Sequence, residues 1–255
     1  YFPKMLAAVK SAQKTITFET FVAVDGYVTY DLVMAMVERA RAGVKVHVIF
    51  DGIGSSRMDE AYLEALRSGG VEVELYKPFN IFRPISGNNR DHRKILVVDG
   101  QLGFTGGAGY ADCWNGDARD EGEWRDTMYC LRGPIVADLQ HGFSNNWKEL
   151  RSVELEGEEY FPKLNRLKGT NTVEALVTLG APYERGDTLG AANLLAIDSA
   201  KKSILIEHAY FLPNRQLKKA LIRACERGVK VQIIVPNEHI DTAVVREVSK
   251  THWPE

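Results

Sequence analysis

Arg90-Asp91-His92-Arg93-Lys94-Ile95-Leu96-Val97-Val98-Asp99-Gly100 sets a histidine, a lysine two residues on and, after four intervening residues, an aspartate. Histidine is a nucleophile or proton carrier, and lysine is a fixed cation. Side by side they suit an anionic substrate, phosphate above all. Arg83, Arg90, Arg93 and Lys94 face only Asp91 as opposing charge in this window, so a local anion site is expected. A solvated basic loop is the plainer alternative.

The elements that position these groups follow from patterning. Lys94 to Val98 is apolar and β-branched after its first residue, which predicts a buried strand. Alternation along a strand puts His92 and Lys94 on one face. Asp99 has the opposite parity, and Asp99-Gly100 is a hairpin-turn signal, so parity alone does not bring Asp99 to the substrate. Upstream, the spacing predicts a helix over 5–13, a strand over 15–21, a helix capped by Asp31 and ended by Gly43, a strand over 45–50, a helix over 59–68 and a strand over 71–76. That βαβαβ succession predicts an α/β fold with a mostly parallel sheet.

Downstream, Lys77 to Arg90 reads as a loop in which Phe79 and Phe82 either line a pocket for an apolar substrate portion or pin the loop to the core. The turn strand leads into Gly106-Gly107-Ala108-Gly109, whose backbone N–H groups can approach an anion or merely serve a tight turn. A strand is expected over 124–131 and a helix from Gly133-Pro134 to about Leu150.

Composition limits the partners. The 255 residues carry 32 Lys plus Arg and 34 Asp plus Glu, a net charge of −2. No global affinity for nucleic acid or an anionic membrane follows from that balance. Cys113, Cys130 and Cys225 are odd in number and lack metal-ligand spacing. Neither a metal site nor a disulfide framework is expected, and a reducing compartment is favoured. No apolar stretch approaches the roughly 20 residues needed to span a bilayer. The chain opens Tyr1-Phe2-Pro3, so its natural start and any targeting segment are expected upstream.

The sequence then repeats itself. Ser11 to Glu19 resembles Ser199 to Glu207, an offset of 199 − 11 = 188, and Arg41 to Ile49 resembles Glu226 to Ile234, an offset of 228 − 43 = 185 at Gly43 and Gly228. A duplicated helix–strand–helix–strand unit is predicted, with a linker at 156–171 between lobes at 1–155 and 172–255. A second copy of the His-x-Lys motif is expected near 92 + 185 = 277, beyond Glu255, so the second lobe is read as incomplete.

His92, Lys94 and Asp99 match H-x-K-x4-D, the mark of the phospholipase D superfamily, and the chain resembles that superfamily. RDHRKILVVDG, GFTGG, the WRDT of Trp124 to Thr127 and Tyr210 to Asn214 resemble its bacterial cardiolipin synthase-like branch most. The resemblance implies a phospholipase D-like α/β fold of two pseudo-symmetric lobes, with mixed, mostly parallel sheets flanked by helices. It implies a phosphatidyltransferase or phospholipase D-type hydrolase that works through a covalent phosphohistidine and needs no cofactor or metal. A nuclease-type phosphodiesterase or a degenerate member is the alternative.

By resemblance His92 is nucleophile or acid, Lys94 neutralises phosphate oxygens, Asp99 supports the motif turn, and Asp126 orients the histidine. Gly106 and Gly107, Glu19 and Glu207, and Phe79 and Phe82 are the expected substrate contacts; for the two glutamates a plain ion pair is the alternative. The family's phosphate-contacting Asn position falls on Gly109, and its Ser position on Gly107. Expected partners are a phosphatidylglycerol-like phospholipid and peripheral contact with a membrane, on its cytoplasmic side. No stable nucleic-acid partner is expected. The second motif is expected from the rest of the protein or a second subunit.

Overall fold

A computed structural model of the chain describes residues 1–78, 90–166, 169, 172–180, 187–236 and 243–251. They fall into two compact units, Tyr1–Val177 and Thr178–Glu255.

The first unit opens with α1 (Phe2–Ser11), where Pro3 occupies the first turn, whose amides need no helical partner. Then follow β1 (Thr15–Thr20), α2 (Tyr27–Arg41), β2 (Lys45–Asp51), α3 (Glu60–Ser68) and β3 (Glu72–Tyr76). Next come β4 (Ile95–Val98), β5 (Leu102–Gly106), a 3-10 turn at Asp112–Asn115, β6 (Met128–Arg132) and α4 (Val136–Arg151). One six-stranded sheet runs β3-β2-β1-β4-β5-β6. The β1–β2 and β2–β3 pairs are parallel, since a helix returns the chain between them. The β1–β4, β4–β5 and β5–β6 pairs are antiparallel, which makes the sheet mixed.

Alternation divides the core. Ile16, Phe18, Leu96 and Val98 face α1 and α2, with Val9, Leu32, Val33 and Met36. Ile95 and Val97 face α4, with Leu139, Phe143 and Trp147, and Leu155 and Tyr160 extend that second core past the helix. Every residue of β1 is buried, including Thr15, Thr17 and Glu19 on the α4 side. Burial of these polar groups is eased because each finds at least one hydrogen-bond partner. Thr15 donates to Glu159 O at 2.9 Å, Thr17 donates to Gln140 at 3.0 Å, and Glu19 accepts from Asn146.

Two expectations give way. α2 begins at Tyr27, before Asp31, because Asp112 accepts from the backbone N–H groups of Tyr27 and Val28 at 3.2 and 3.0 Å. A capping carboxylate from 85 residues away replaces the local one. The strand expected from Trp124 starts only at Met128, where pairing with Gly106 begins.

The second unit holds α5 (Thr188–Ser199), β7 (Ser203–Glu207), α6 (Arg215–Glu226), β8 (Lys230–Ile234) and α7 (Ala243–Lys250). The repeat is present down to single hydrogen bonds. Thr15 pairs with Lys45 in the first unit and Ser203 with Lys230 in the second. Lys45 N–H donates to Lys14 O and Lys230 N–H to Lys202 O; Val44 N–H donates to Arg39 O and Val229 N–H to Ala224 O.

Candidate active site

His92 and Lys94 come together as expected, though by another route. Residues 91–94 precede the strand, so alternation along β4 does not align them. Lys94 folds back instead. Its Nζ donates to the His92 carbonyl at 3.0 Å and stands 3.5 Å from His92 Nδ1. Phe21, just past β1, forms the floor: its ring centroid is 4.5 Å from that of His92 and 5.6 Å from Lys94 Nζ. His92 is exposed while Lys94 is 5% exposed. A reactive ring therefore faces outward over a cation held beneath it.

Burial tunes both groups. It lowers the His92 pKa, with the Lys94 charge adding to the effect against Asp91 and Asp51. A neutral imidazole, the form with a free lone pair, is thus favoured near neutrality. Burial also brings Lys94 down to about 8, against the pull of Asp91 and Asp126. Its charge is most secure when an anion sits beside it.

The turn that carries His92 is fixed by carboxylates. Asp51 accepts from Ile53 N and Gly54 N through Oδ1 at 2.9 and 2.8 Å, and from Asp91 N through Oδ2 at 3.1 Å. Asp91 Oδ1 accepts from Arg93 N at 3.1 Å, closing a local turn around His92. Arg90 reaches Asp51 at 3.4 Å and the Lys77 carbonyl at 2.8 Å, and Arg93 donates to Gly142 O at 2.8 Å.

Asp126 is exposed on the site's side, where its charge reaches Lys94. Its Oδ1 accepts from Thr127 N at 2.7 Å, and among the described residues no hydrogen bond joins it to His92. A Cβ at position 107 would collide with the Asp126 carboxylate, so this close approach requires a glycine. The amide of Gly107 is engaged by Thr127 O at 3.2 Å and is not free for an anion. Gly106 is needed for closeness too, since a Cβ there would strike Thr127 O.

A side chain at Gly109 would meet Trp114 at 2.8 Å and Val22 at 3.0 Å. The indole thus fills the space that a longer side chain at this position would need. Among the described residues no acceptor engages the backbone N–H of Ala108 or Gly109.

The other expected residues lie elsewhere. Asp99 is at the far end of β4, about seven residues or roughly 23 Å of extended chain from His92. There it adopts the left-handed region, φ 53°, and its carboxylate accepts from Gln13 N, Lys14 N and Thr15 N at 2.7–3.1 Å. It locks the β4–β5 turn onto the loop ahead of β1. Glu19 is wholly buried beneath the site, beside Asn146 and Asp91, and lines no open surface. Glu207 is an exposed residue at the end of β7 in the second unit. Phe79 and Phe82 lie outside the described residues. Phe21, Asp51, Asp91 and Asn146 escaped the sequence reading. Phe21 carried a signal, because it shares the parity of Glu19 at the end of the same strand pattern.

Among the described residues no cluster of three or more His, Cys, Asp or Glu side chains is placed to hold a metal ion. No described helix is long and apolar enough to cross a membrane.

The mixed α/β sheet thus carries an exposed histidine over a buried lysine at the entry of one strand. The profile of the family described as "Cardiolipin synthase, PLD-like domain" matches residues 5–121 and 194–255, and the chain belongs to that family. The resemblance read from the motif is borne out. The chain is 32% identical over 256 residues to a cardiolipin synthase of Alkalihalophilus pseudofirmus, covering 100% of this chain and 50% of the relative. It is 33% identical over 244 residues to cardiolipin synthase A of Pseudomonas syringae, covering 92% and 48%. The chain thus spans about half the length of the curated relatives it matches. The crystal structure of a phosphatidylserine synthase from Haemophilus influenzae shares the fold, with a TM-score of 0.65 at 15% identity over 93% of this chain and 59% of that one.

Proposed function

We propose that the protein is a phosphatidyltransferase of the cardiolipin synthase type, acting on the phosphodiester of a phosphatidylglycerol-like lipid. The observation that carries this reading is the convergence of His92, with a lowered pKa, and the buried Lys94 ammonium. His92 supplies one of two histidines. Its preference for the neutral ring fits the nucleophile. A ring nitrogen forms a bond to phosphorus as the bond to the leaving glycerol oxygen breaks. That oxygen takes a proton from the acid of the second motif, which the rest of the protein or a second subunit supplies. An acceptor hydroxyl then gives its proton to that same second-motif group, now the base, attacks phosphorus and breaks the N–P bond, which returns the His92 nitrogen its lone pair.

Lys94 neutralises the phosphate oxygens throughout, and no cofactor enters. The N–H groups of Ala108 and Gly109, which no acceptor among the described residues engages, take the place of the missing asparagine as donors to phosphate. Asp126 turns onto His92 once substrate draws Lys94 away, and so holds the imidazolium. The lipid is reached by peripheral contact with a membrane.

Full-length protein incubated with radiolabelled phosphatidylglycerol tests the proposal. Phosphatidate or cardiolipin is the expected product. Cleavage of single-stranded DNA with no lipid product would replace this reading with a nuclease, and the absence of both would mark a degenerate member.

A further inference from the structure

Beneath the site lie two buried oxygens, Glu19 Oε2 and Asp91 Oδ2, that have no hydrogen-bond donor among the described residues. Their sister oxygens are satisfied, Glu19 Oε1 by Asn146 Nδ2 and Asp91 Oδ1 by Arg93 N. The two carboxyls lie within hydrogen-bonding reach of each other. Two ionised carboxylates in that position would each be an acceptor facing an acceptor, in a region closed to water. A buried pair of this kind is costly unless one member carries a proton.

We propose that Glu19 is protonated in the folded protein and donates to Asp91 Oδ2, and that this hydrogen-bonded pair is a positioning device holding the turn that presents His92. The proton supplies the missing donor and satisfies both orphaned oxygens at once. Asp91 is then fixed at both oxygens, through Glu19 on one side and Arg93 N on the other, with its own N–H on Asp51. Burial and then Asp91 push Glu19 well above the usual carboxylate range, while Asn146 and Arg93 pull it down. The charged groups around the pair are Arg93 and Lys94 on the motif segment, and Asp51 with Arg90 at the end of β2. His92 feels both Asp91 and Asp51.

A group whose folded pKa lies above its unfolded value contributes stability that is complete below the unfolded pKa and is lost as pH rises toward the folded one. Folding therefore takes up a proton above the ordinary glutamate range. Glu19→Gln supplies the donor permanently: its amide oxygen accepts from Asn146 and its amide nitrogen donates to Asp91. Asp91→Asn does the same from the other side.

The test is denaturant unfolding of the full-length protein and of each variant across pH 5 to 8, with infrared spectra of the folded states. Relative to wild type, the folding equilibrium constant of Glu19→Gln is expected to rise about tenfold for each pH unit between the ordinary glutamate value and the raised pKa of folded Glu19. Asp91→Asn is expected to follow the same slope, and serves alone if Glu19→Gln fails to fold. The protonated-carboxyl band of the wild type at neutral pH is expected to vanish in each. Curves parallel to wild type, or no such band in the wild type, would overturn the proposal.

Discussion

His92 and Lys94 stand in different surroundings, and that difference sets what each substitution does. His92 is exposed and contributes little packing, so His92→Asn is expected to leave the melting temperature nearly unchanged. It should also abolish the covalent phospho-enzyme and lower turnover by about 10^4-fold or more. Retained turnover, measured with labelled lipid, would show that His92 is neither essential histidine. Lys94 titrates near 8, so the rate is expected to fall as pH rises through about 8 and the ammonium is lost. Lys94→Arg keeps its charge far above that range and should remove this alkaline limb, though with a lower maximum rate. A limb at the same pH in Lys94→Arg would assign it to another group. At Gly109 the constraint is spatial. Gly109→Asn is expected to cost roughly 1–3 kcal/mol, because Trp114 and Val22 already occupy the space, and chemical denaturation measures it.

At the scale of elements, the motif strand is short and held at both ends. At one end the Asp51 and Asp91 carboxylates order the turn with His92. At the other the Asp99 carboxylate gathers three backbone N–H groups. Asp99→Ala is expected to cost about 2–3 kcal/mol, since it orphans those donors and leaves an alanine in the left-handed region. Thermal unfolding checks this. A fall in turnover with stability intact would place Asp99 at the chemistry instead. The Asp99-Gly100 turn was legible because turn chemistry is local, whereas the parity argument did not apply, since His92 and Lys94 precede β4. The strands of the parallel half and the helices between them were legible from local patterning too. The Asp112 cap on α2 and the Asn146 contact to Glu19 were not. Each joins residues 84 to 127 positions apart, and only the folded sheet brings them within reach.

For the molecule as a whole, the duplicated unit was the most legible feature, since a register that repeats in sequence must repeat in hydrogen bonding. The repeat also separates what the copies share from what one owns. His47 in β2 aligns with Gln232 in β8 and is buried between Trp147 and Tyr160 in the first unit alone. Burial, with help from Lys45 and Arg151, lowers its pKa from 6.5 to about 4. The unfolded chain therefore binds more protons between those values, and His47 costs stability as pH falls from 6.5 towards 4. The loss reaches about 3 kcal/mol near pH 4. His47→Gln is expected to flatten that part of the stability curve, and an unchanged slope in urea titrations at pH 6.5, 5.5 and 4.5 would contradict it.

The Asp99 clamp also bears on the order in which the chain assembles. β1 lies at the middle of the sheet; its antiparallel neighbour arrives 76 to 82 residues later, and the carboxylate that satisfies Gln13 to Thr15 arrives 84 to 86 residues later. During synthesis the first strand can meet β2 early, but one edge stays unpaired until about residue 100 leaves the ribosome. Until then the nascent chain exposes an apolar strand edge of the sort that chaperones bind. Pulse-labelled amide exchange should find β1 and β4 gaining protection in one step, after the β1–β2 contact has formed.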